Sequence, residues 1–191
     1  MAKLYFRYGA MGSGKTAALL QLAYNYEQRG MSVFIIKPSI DTKGNTSITS
    51  RIGLSRQVDA VIEPESSIKD ILETVFPQAI VVDEVQFLSP QQIDEIYAIS
   101  KVRDIPVLCY GLRCDFQMRG FPGATRLLEI ADDIEELKTI CECGSKATQN
   151  LRKIGGVPVF EGQQVEIDGA SQIEYESVCG KCYLLKRGDI K

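Results

Sequence analysis

Residues 9–16 read Gly9-Ala10-Met11-Gly12-Ser13-Gly14-Lys15-Thr16, and this octet decides the fold. It matches G-x-x-x-x-G-K-[ST], a loop whose glycines let backbone N–H groups converge on phosphate. Its flanks supply the context the motif needs. Before it, Lys3-Leu4-Tyr5-Phe6-Arg7-Tyr8 reads as an aromatic-rich strand. After it, Ala17 to Gln28 reads as a helix with Leu19, Leu22, Ala23 and Tyr26 on one face, and Gly30 stands where such a helix should end. A helix starting at the loop adds the positive end of its dipole to the phosphate site. Lys15 supplies a point charge for β- and γ-phosphates, and the Thr16 hydroxyl a ligand for Mg²⁺. An ordinary glycine-rich turn would explain a glycine or two, but not Gly14-Lys15-Thr16 in register.

Further along, strands and helices continue to alternate. Val33-Phe34-Ile35-Ile36 is apolar enough to be buried on both faces. Val58 to Ile62 is a short strand, and Ser66 to Val75 a helix with Ile68, Ile71, Leu72 and Val75 as its stripe. Ala79-Ile80-Val81-Val82 is a buried strand that ends at Asp83-Glu84. Ser89-Pro90-Gln91-Gln92 starts a helix to about Val102, with Ser as cap and Gln three residues later. Pro106 to Tyr110 is another strand. This alternation implies a parallel sheet with right-handed crossovers. Residues 38–57 have no period and read as a long loop, of the kind that is usually functional or mobile. The pattern changes near residue 132, to short alternating segments, frequent Gly and two close cysteine pairs, which divides the chain into an α/β nucleotide-binding domain, 1–137, and a small β-rich, cysteine-bearing module, 138–191, read as zinc-binding.

The second acidic strand end extends the chemistry. In enzymes with such a phosphate loop, a carboxylate at the end of a buried strand holds the metal, and Asp83 fits. Glu84 beside it can take a proton from an attacking hydroxyl or water. The chain has no histidine, which excludes His-based triads and His acid–base chemistry, so Glu84 is the best base available. The alternative is that both carboxylates only cap the helix at Ser89, which lies well downstream. Arg51 and Arg56, in the 38–57 loop, are candidates to stabilise the transferred phosphate; surface charge is the competing reading.

Six cysteines divide into two kinds. Cys109 and Cys114 stand apart. Cys141-Glu142-Cys143 and Cys179-Gly180-Lys181-Cys182 form two close pairs, the pattern of a closed, tetrahedral, structural Zn²⁺ site. Unrelated buried cysteines and a redox C-x-x-C pair are the rival readings. Gly144 follows the first pair, as a tight turn would require.

The 191 residues carry 22 basic and 25 acidic side chains, net charge −3. That balance argues against a general nucleic-acid binder. No stretch approaches a membrane span or a signal-peptide core, so a cytoplasmic protein is expected. Asp83-Glu84-Val85-Gln86 also resembles a helicase box, but a helicase needs a second core domain. A nucleotide-gated binding module would need no base such as Glu84, and a nucleoside monophosphate kinase would need an arginine-rich lid.

Taken together, Gly-Ala-Met-Gly-Ser-Gly-Lys-Thr, Val-Asp-Glu-Val-Gln-Phe, Tyr-Gly-Leu-Arg-Cys-Asp-Phe and the paired C-terminal cysteines resemble the cellular-type (type II) thymidine kinases, in particular bacterial members. The resemblance spans almost the whole chain in the same motif order. It implies transfer of the γ-phosphate of ATP to the 5′-hydroxyl of thymidine and deoxyuridine, with Mg²⁺, a structural Zn²⁺, feedback inhibition by thymidine triphosphate (dTTP), and a homotetramer. It implies that Gly9, Ala10, Met11, Gly12, Ser13, Gly14, Lys15 and Thr16 hold the nucleotide, with Asp83, Glu84, Val85 and Gln86. Lys15 and Glu84 would be catalytic. Met11, Leu112, Phe116 and Phe121 would wall the thymine pocket, Tyr175 would belong to a loop closing over the nucleoside, and Gly169 would give a backbone contact. Cys141, Cys143, Cys179 and Cys182 would bind zinc. The stretch from Ile167 to Tyr175 looks two residues longer than the common version, and Val85 replaces a usual small residue.

Overall fold

In a computed structural model, residues 1–41, 46–164 and 172–190 are described. The first strand, β1 (Leu4–Tyr8), leads through the phosphate loop into α1 (Lys15–Glu27) and then β2 (Val33–Pro38). Residues 46–57, expected to be part of a loop, are more ordered than their composition implies. They hold a two-stranded hairpin, β3 (Ser47–Thr49) with β4 (Ser55–Gln57), tied by Ser50 around the turn. After β5 (Ala60–Ile62), α2 covers only Ile68–Ile71, shorter than the helix expected to Val75. Its continuation is diverted because Arg103 takes the Leu72 and Val75 carbonyls, and Pro77 follows.

Next come β6 (Ala79–Val82), a 3₁₀ turn (Val85–Phe87), α3 (Pro90–Val102) and β7 (Val107–Gly111). The expected capping box opens α3: Ser89 Oγ accepts from Gln92 N–H at 3.2 Å and Gln92 Oε1 from Ser89 N–H at 3.0 Å. Then follow α4 (Pro122–Ile130) and β8 (Asp133–Glu136).

The six-stranded sheet has the order β5-β2-β6-β7-β1-β8, and every pairing in it is parallel. Alternate residues of its strands feed two cores, as the pleat requires. Ile80 and Val82 pack with Ile93, Ile96 and Leu127 on the α3–α4 side. Ala79 and Val81 pack with Leu19, Leu20 and Ala23 on the α1 side. Sandwiched strands of this kind carry no polar face, which is why they read as unbroken apolar runs.

The rest of the chain forms short strands around the cysteines: β9 (Thr139–Ile140), β10 (Lys146–Ala147), β11 (Gln149–Ile154), β12 (Val157–Val159) and β13 (Ile173–Val178). β11 is the centre of an antiparallel three-stranded sheet flanked by β12 and β13. A helix, α5 (Gly180–Arg187), follows. The β-rich character expected of this region is thus accompanied by a helix at its end. The small third core consists of Cys141, Ala147, Leu151, Val178, Cys179 and Tyr183.

Candidate active site

Because the large sheet is parallel, β1, β2, β6 and β7 end on one edge, where open α/β sheets bind ligands. The segment leaving β1 is the phosphate loop. Gly12 and Gly14 have φ of 76° and 82°, the left-handed region that favours glycine. At Gly9 the constraint is space: a Cβ would lie 2.4 Å from both Leu137 O and Ser13 Oγ. Lys15 opens α1 and folds back over the loop, its Nζ donating to the Gly9 and Ala10 carbonyls at 3.1 Å each. Burial lowers its pKa, while the Glu84 and Asp83 carboxylates act to raise it. Arriving phosphate would give this desolvated ammonium a full counter-charge, beside the free N–H groups of the first helical turn.

Asp83 leaves the end of β6, only 3 % exposed. Its Oδ2 accepts from Thr16 Oγ1 at 3.2 Å. Burial, then the Glu84 charge, pushes its carboxyl up to about 7. A hydroxyl and a carboxylate at this distance are hard oxygen donors of the kind Mg²⁺ takes beside phosphates, so the pair fits that ion. Glu84 has φ 47°, a left-handed conformation that a non-glycine residue adopts at a cost of about 1–3 kcal/mol. There it borders the cavity. Val85 turns the opposite way, fully buried in the α3-side core and outside the cavity lining. The Val85 side chain therefore packs in the core, while Asp83, also outside the cavity lining, keeps its carboxylate on Thr16.

One cavity of about 340 Å³ gathers these groups. Lys15, Thr16, Glu84 and Gln86 line it, and so do Met11, Leu112, Phe116, Phe121 and Tyr175. Of the expected phosphate residues, Met11, Gly12, Gly14, Lys15, Thr16, Glu84 and Gln86 thus share one space with the described nucleoside residues, while Gly9, Ala10, Ser13, Asp83 and Val85 lie outside its lining. Gly169 lies outside the described residues. Arg51 reaches the cavity, whereas Arg56 pairs with Glu27 at 2.7 Å. Asp41, Asp115, Asn150 and Gln164 also line it; the sequence assigns none of them a role, although Asp115 lies in the Tyr110–Phe116 motif. For Asp41 a weaker signal existed: it lies three residues past the end of β2, whereas Asp83 directly follows β6.

The aromatic wall is braced from behind. The Arg152 side chain is 1 % exposed, with its guanidinium 3.6 Å from the Phe116 ring centroid. Its Nε donates to Tyr175 Oη at 3.0 Å, and Tyr183 Oη donates to the Phe116 carbonyl at 2.6 Å. Phe87 meets Phe121 edge-on, with centroids 5.7 Å apart.

The Sγ atoms of Cys141, Cys143, Cys179 and Cys182 all lie within 4.8 Å of one another. Tetrahedral Zn–S bonds of about 2.3 Å imply S···S distances near 3.8 Å, and Cys143 and Cys179 are 3.6 Å apart. That is far too long for a disulfide, so the donor set fits zinc. Gly144 makes the turn at φ 83°, donating to the Cys141 carbonyl at 2.8 Å. Cys179 caps α5 through its sulfur, which accepts from Cys182 N–H at 3.4 Å. Hydrogen bonds with Ser145 hold the Cys143 thiol below its usual range while Cys182 is pushed up. Thiols that ligate a metal give up their protons to it, so metal binding here would depend on pH.

A family model described as thymidine kinase matches residues 2–183. The chain belongs to the thymidine kinase family. The matched span holds the phosphate loop, the described cavity lining and all four clustered cysteines. Among curated relatives, the thymidine kinase of Chromobacterium violaceum is 45% identical over 96% of this chain and 98% of its own length. That of Ruegeria pomeroyi is 42% identical over 99% and 97%. Among solved structures, the replication initiator DnaA bound to AMPPCP and single-stranded DNA matches 72% of this chain and 40% of its own at 18% identity, TM-score 0.45. That likeness is too distant to bear on what this thymidine kinase family member does. Among the described residues no helix is long and apolar enough to cross a membrane.

Proposed function

We propose that the cavity transfers the γ-phosphate of ATP to the 5′-hydroxyl of thymidine, and of deoxyuridine, giving the nucleoside monophosphate and ADP. One observation carries the reading: Lys15, Thr16 and Glu84 border the same 340 Å³ space as Leu112, Phe116, Phe121 and Tyr175. Glu84 takes the 5′-hydroxyl proton as that oxygen bonds to the γ-phosphorus. The bond from phosphorus to the bridging oxygen breaks, and its electron pair leaves with ADP. Lys15 and the amides of residues 9–16 hold the phosphates and balance their charge. Thr16 and Asp83 would hold Mg²⁺, which would supply further charge neutralisation at the phosphates. The aromatic side chains give thymine a flat apolar slot that excludes water.

A ligand with thymine at one end and a triphosphate at the other can occupy both parts of the cavity, which supports dTTP as a feedback inhibitor. The four thiolates would hold a structural Zn²⁺. We also take the chain to form a homotetramer and to divide at residues 137–138 into a nucleotide-binding domain and a zinc module that closes over the nucleoside. Supporting the division, the cysteine-centred core shares no buried residue with the two cores of the large sheet.

Formation of thymidine monophosphate from ATP and thymidine by the purified protein tests the reading. ATP consumption stimulated by DNA or RNA but not by thymidine would overturn it.

A further inference from the structure

Two side chains of the cysteine module grip the backbone of one phosphate-loop residue. Asn150, on β11, accepts through Oδ1 from Met11 N–H at 2.8 Å. Ser177, on β13, donates through Oγ to the Met11 carbonyl. Asn150 and Ser177 face each other directly in the β11–β13 ladder. Asn150 is 4 % exposed, and its own amide donates to the Cys114 carbonyl at 3.3 Å.

The next rung on the same face, about 7 Å along, is Arg152 opposite Tyr175. That rung touches the aromatic wall, through the Arg152 stack on Phe116 and the Arg152–Tyr175 hydrogen bond. One face of a two-stranded ladder therefore contacts the phosphate loop on one rung and the base pocket on the next. The intervening rung, Leu151 opposite Glu176, points to the other face.

We infer that Asn150 and Ser177 are positioning residues for the phosphate loop, and that the β11–β13 ladder couples nucleoside occupancy to the hold on ATP. The inference rests on the reading of the cavity given above. Met11 sits at the bend of the loop and has both backbone hydrogen-bonding groups committed to the ladder. The course of the loop there is set from outside the large sheet. A nucleoside that fixes Tyr175 also fixes the rung beside it, and with it the Met11 peptide. By linkage, each substrate then tightens the other by the same factor.

The test is the affinity of the wild-type protein, Ser177→Ala and Asn150→Ala for a non-hydrolysable ATP analogue, with and without saturating thymidine. Thymidine should tighten analogue binding in the wild type. In both variants that factor should fall toward one, and KM for ATP should rise about five- to tenfold, the size of one lost hydrogen bond. Ser177→Thr, which keeps the hydroxyl, should restore the factor. Glu176→Gln, on the opposite face, should leave it unchanged. A wild-type factor of one, or an equal factor in wild type and Ser177→Ala, overturns the coupling. A wild-type protein that makes no thymidine monophosphate would instead overturn the functional reading, so the two failures are distinguishable.

Discussion

Gln86 donates through Nε2 to Glu84 Oε2 at 2.5 Å, while its own Oε1 accepts from Leu112 N–H at 2.9 Å. The amide thus ties the candidate base to the segment that leaves β7. Gly111 makes this possible, since a Cβ there would lie 2.4 Å from Gln86 Oε1. Glu84→Gln should lower kcat about 10²–10⁴-fold, the usual range for a general base. Gln86→Leu should lower kcat by a smaller factor, about tenfold, with KM for ATP little changed. Gly111→Ala should reproduce the Gln86 effect. Steady-state kinetics of the three variants check this ordering.

Lys15→Ala removes the charge that meets the phosphates. Turnover should fall by about 10²–10³-fold or more, as for the loss of a transition-state donor. The fold should persist, because the ammonium is desolvated in the free protein and its loss uncovers no core. Circular dichroism beside a coupled kinase assay separates the two effects.

Asp83 gives a pH dependence of known sign. Its folded carboxyl is raised to about 7 from an ordinary 3.8, so between those values the folded state binds more protons than the unfolded chain. The Asp83 contribution to stability is then greatest below about pH 4 and is lost as pH rises to about 7. Without Mg²⁺ or nucleotide, Asp83→Asn should melt higher than wild type at pH 8 and nearly level with it at pH 4. Thermal unfolding at both values checks it, and the variant should bind Mg²⁺–ATP poorly.

Zinc content should be one ion per chain, measured by elemental analysis on protein kept reduced. Cys179→Ser should lower it and destabilise the C-terminal module. Cys109→Ser should not change it, since Cys109 is fully buried on β7 with a thiol pushed far above its usual range by burial. Chelation of the metal should expose the clustered thiols to an alkylating reagent and leave Cys109 unmodified.

Much of this architecture is readable locally. The octet at 9–16, the run Ala79–Val82 with its terminal Asp83, and the Ser89 cap each depend on neighbours in sequence, so composition and spacing announce them. Other elements depend on partners far along the chain. Asp133–Glu136 is strongly charged, and only pairing with β1, Tyr5 opposite Asp133, makes it a strand. The α5 helix starts from a cysteine-sulfur cap that also belongs to the four-cysteine cluster, so Cys179 and Cys182 read first as ligands. Asn150 and Gln164 carry no motif; the fold alone brings them to the cavity, where they meet Asp115 of the Tyr110–Phe116 motif.

The strand β13 has three obligations close together: Tyr175 on the cavity wall, Ser177 on the Met11 carbonyl, and Cys179, just past its end, in the metal cluster. Strand periodicity leaves no slack among them. One inserted residue between Tyr175 and Cys179 would turn a side chain to the wrong face and shift the sulfur by a full step. Chain-length variation within the family should therefore gather before Ile173, where a connecting segment can absorb it, and be absent from Tyr175 to Cys179. Loop exchange between relatives has its natural splice point at the start of β13.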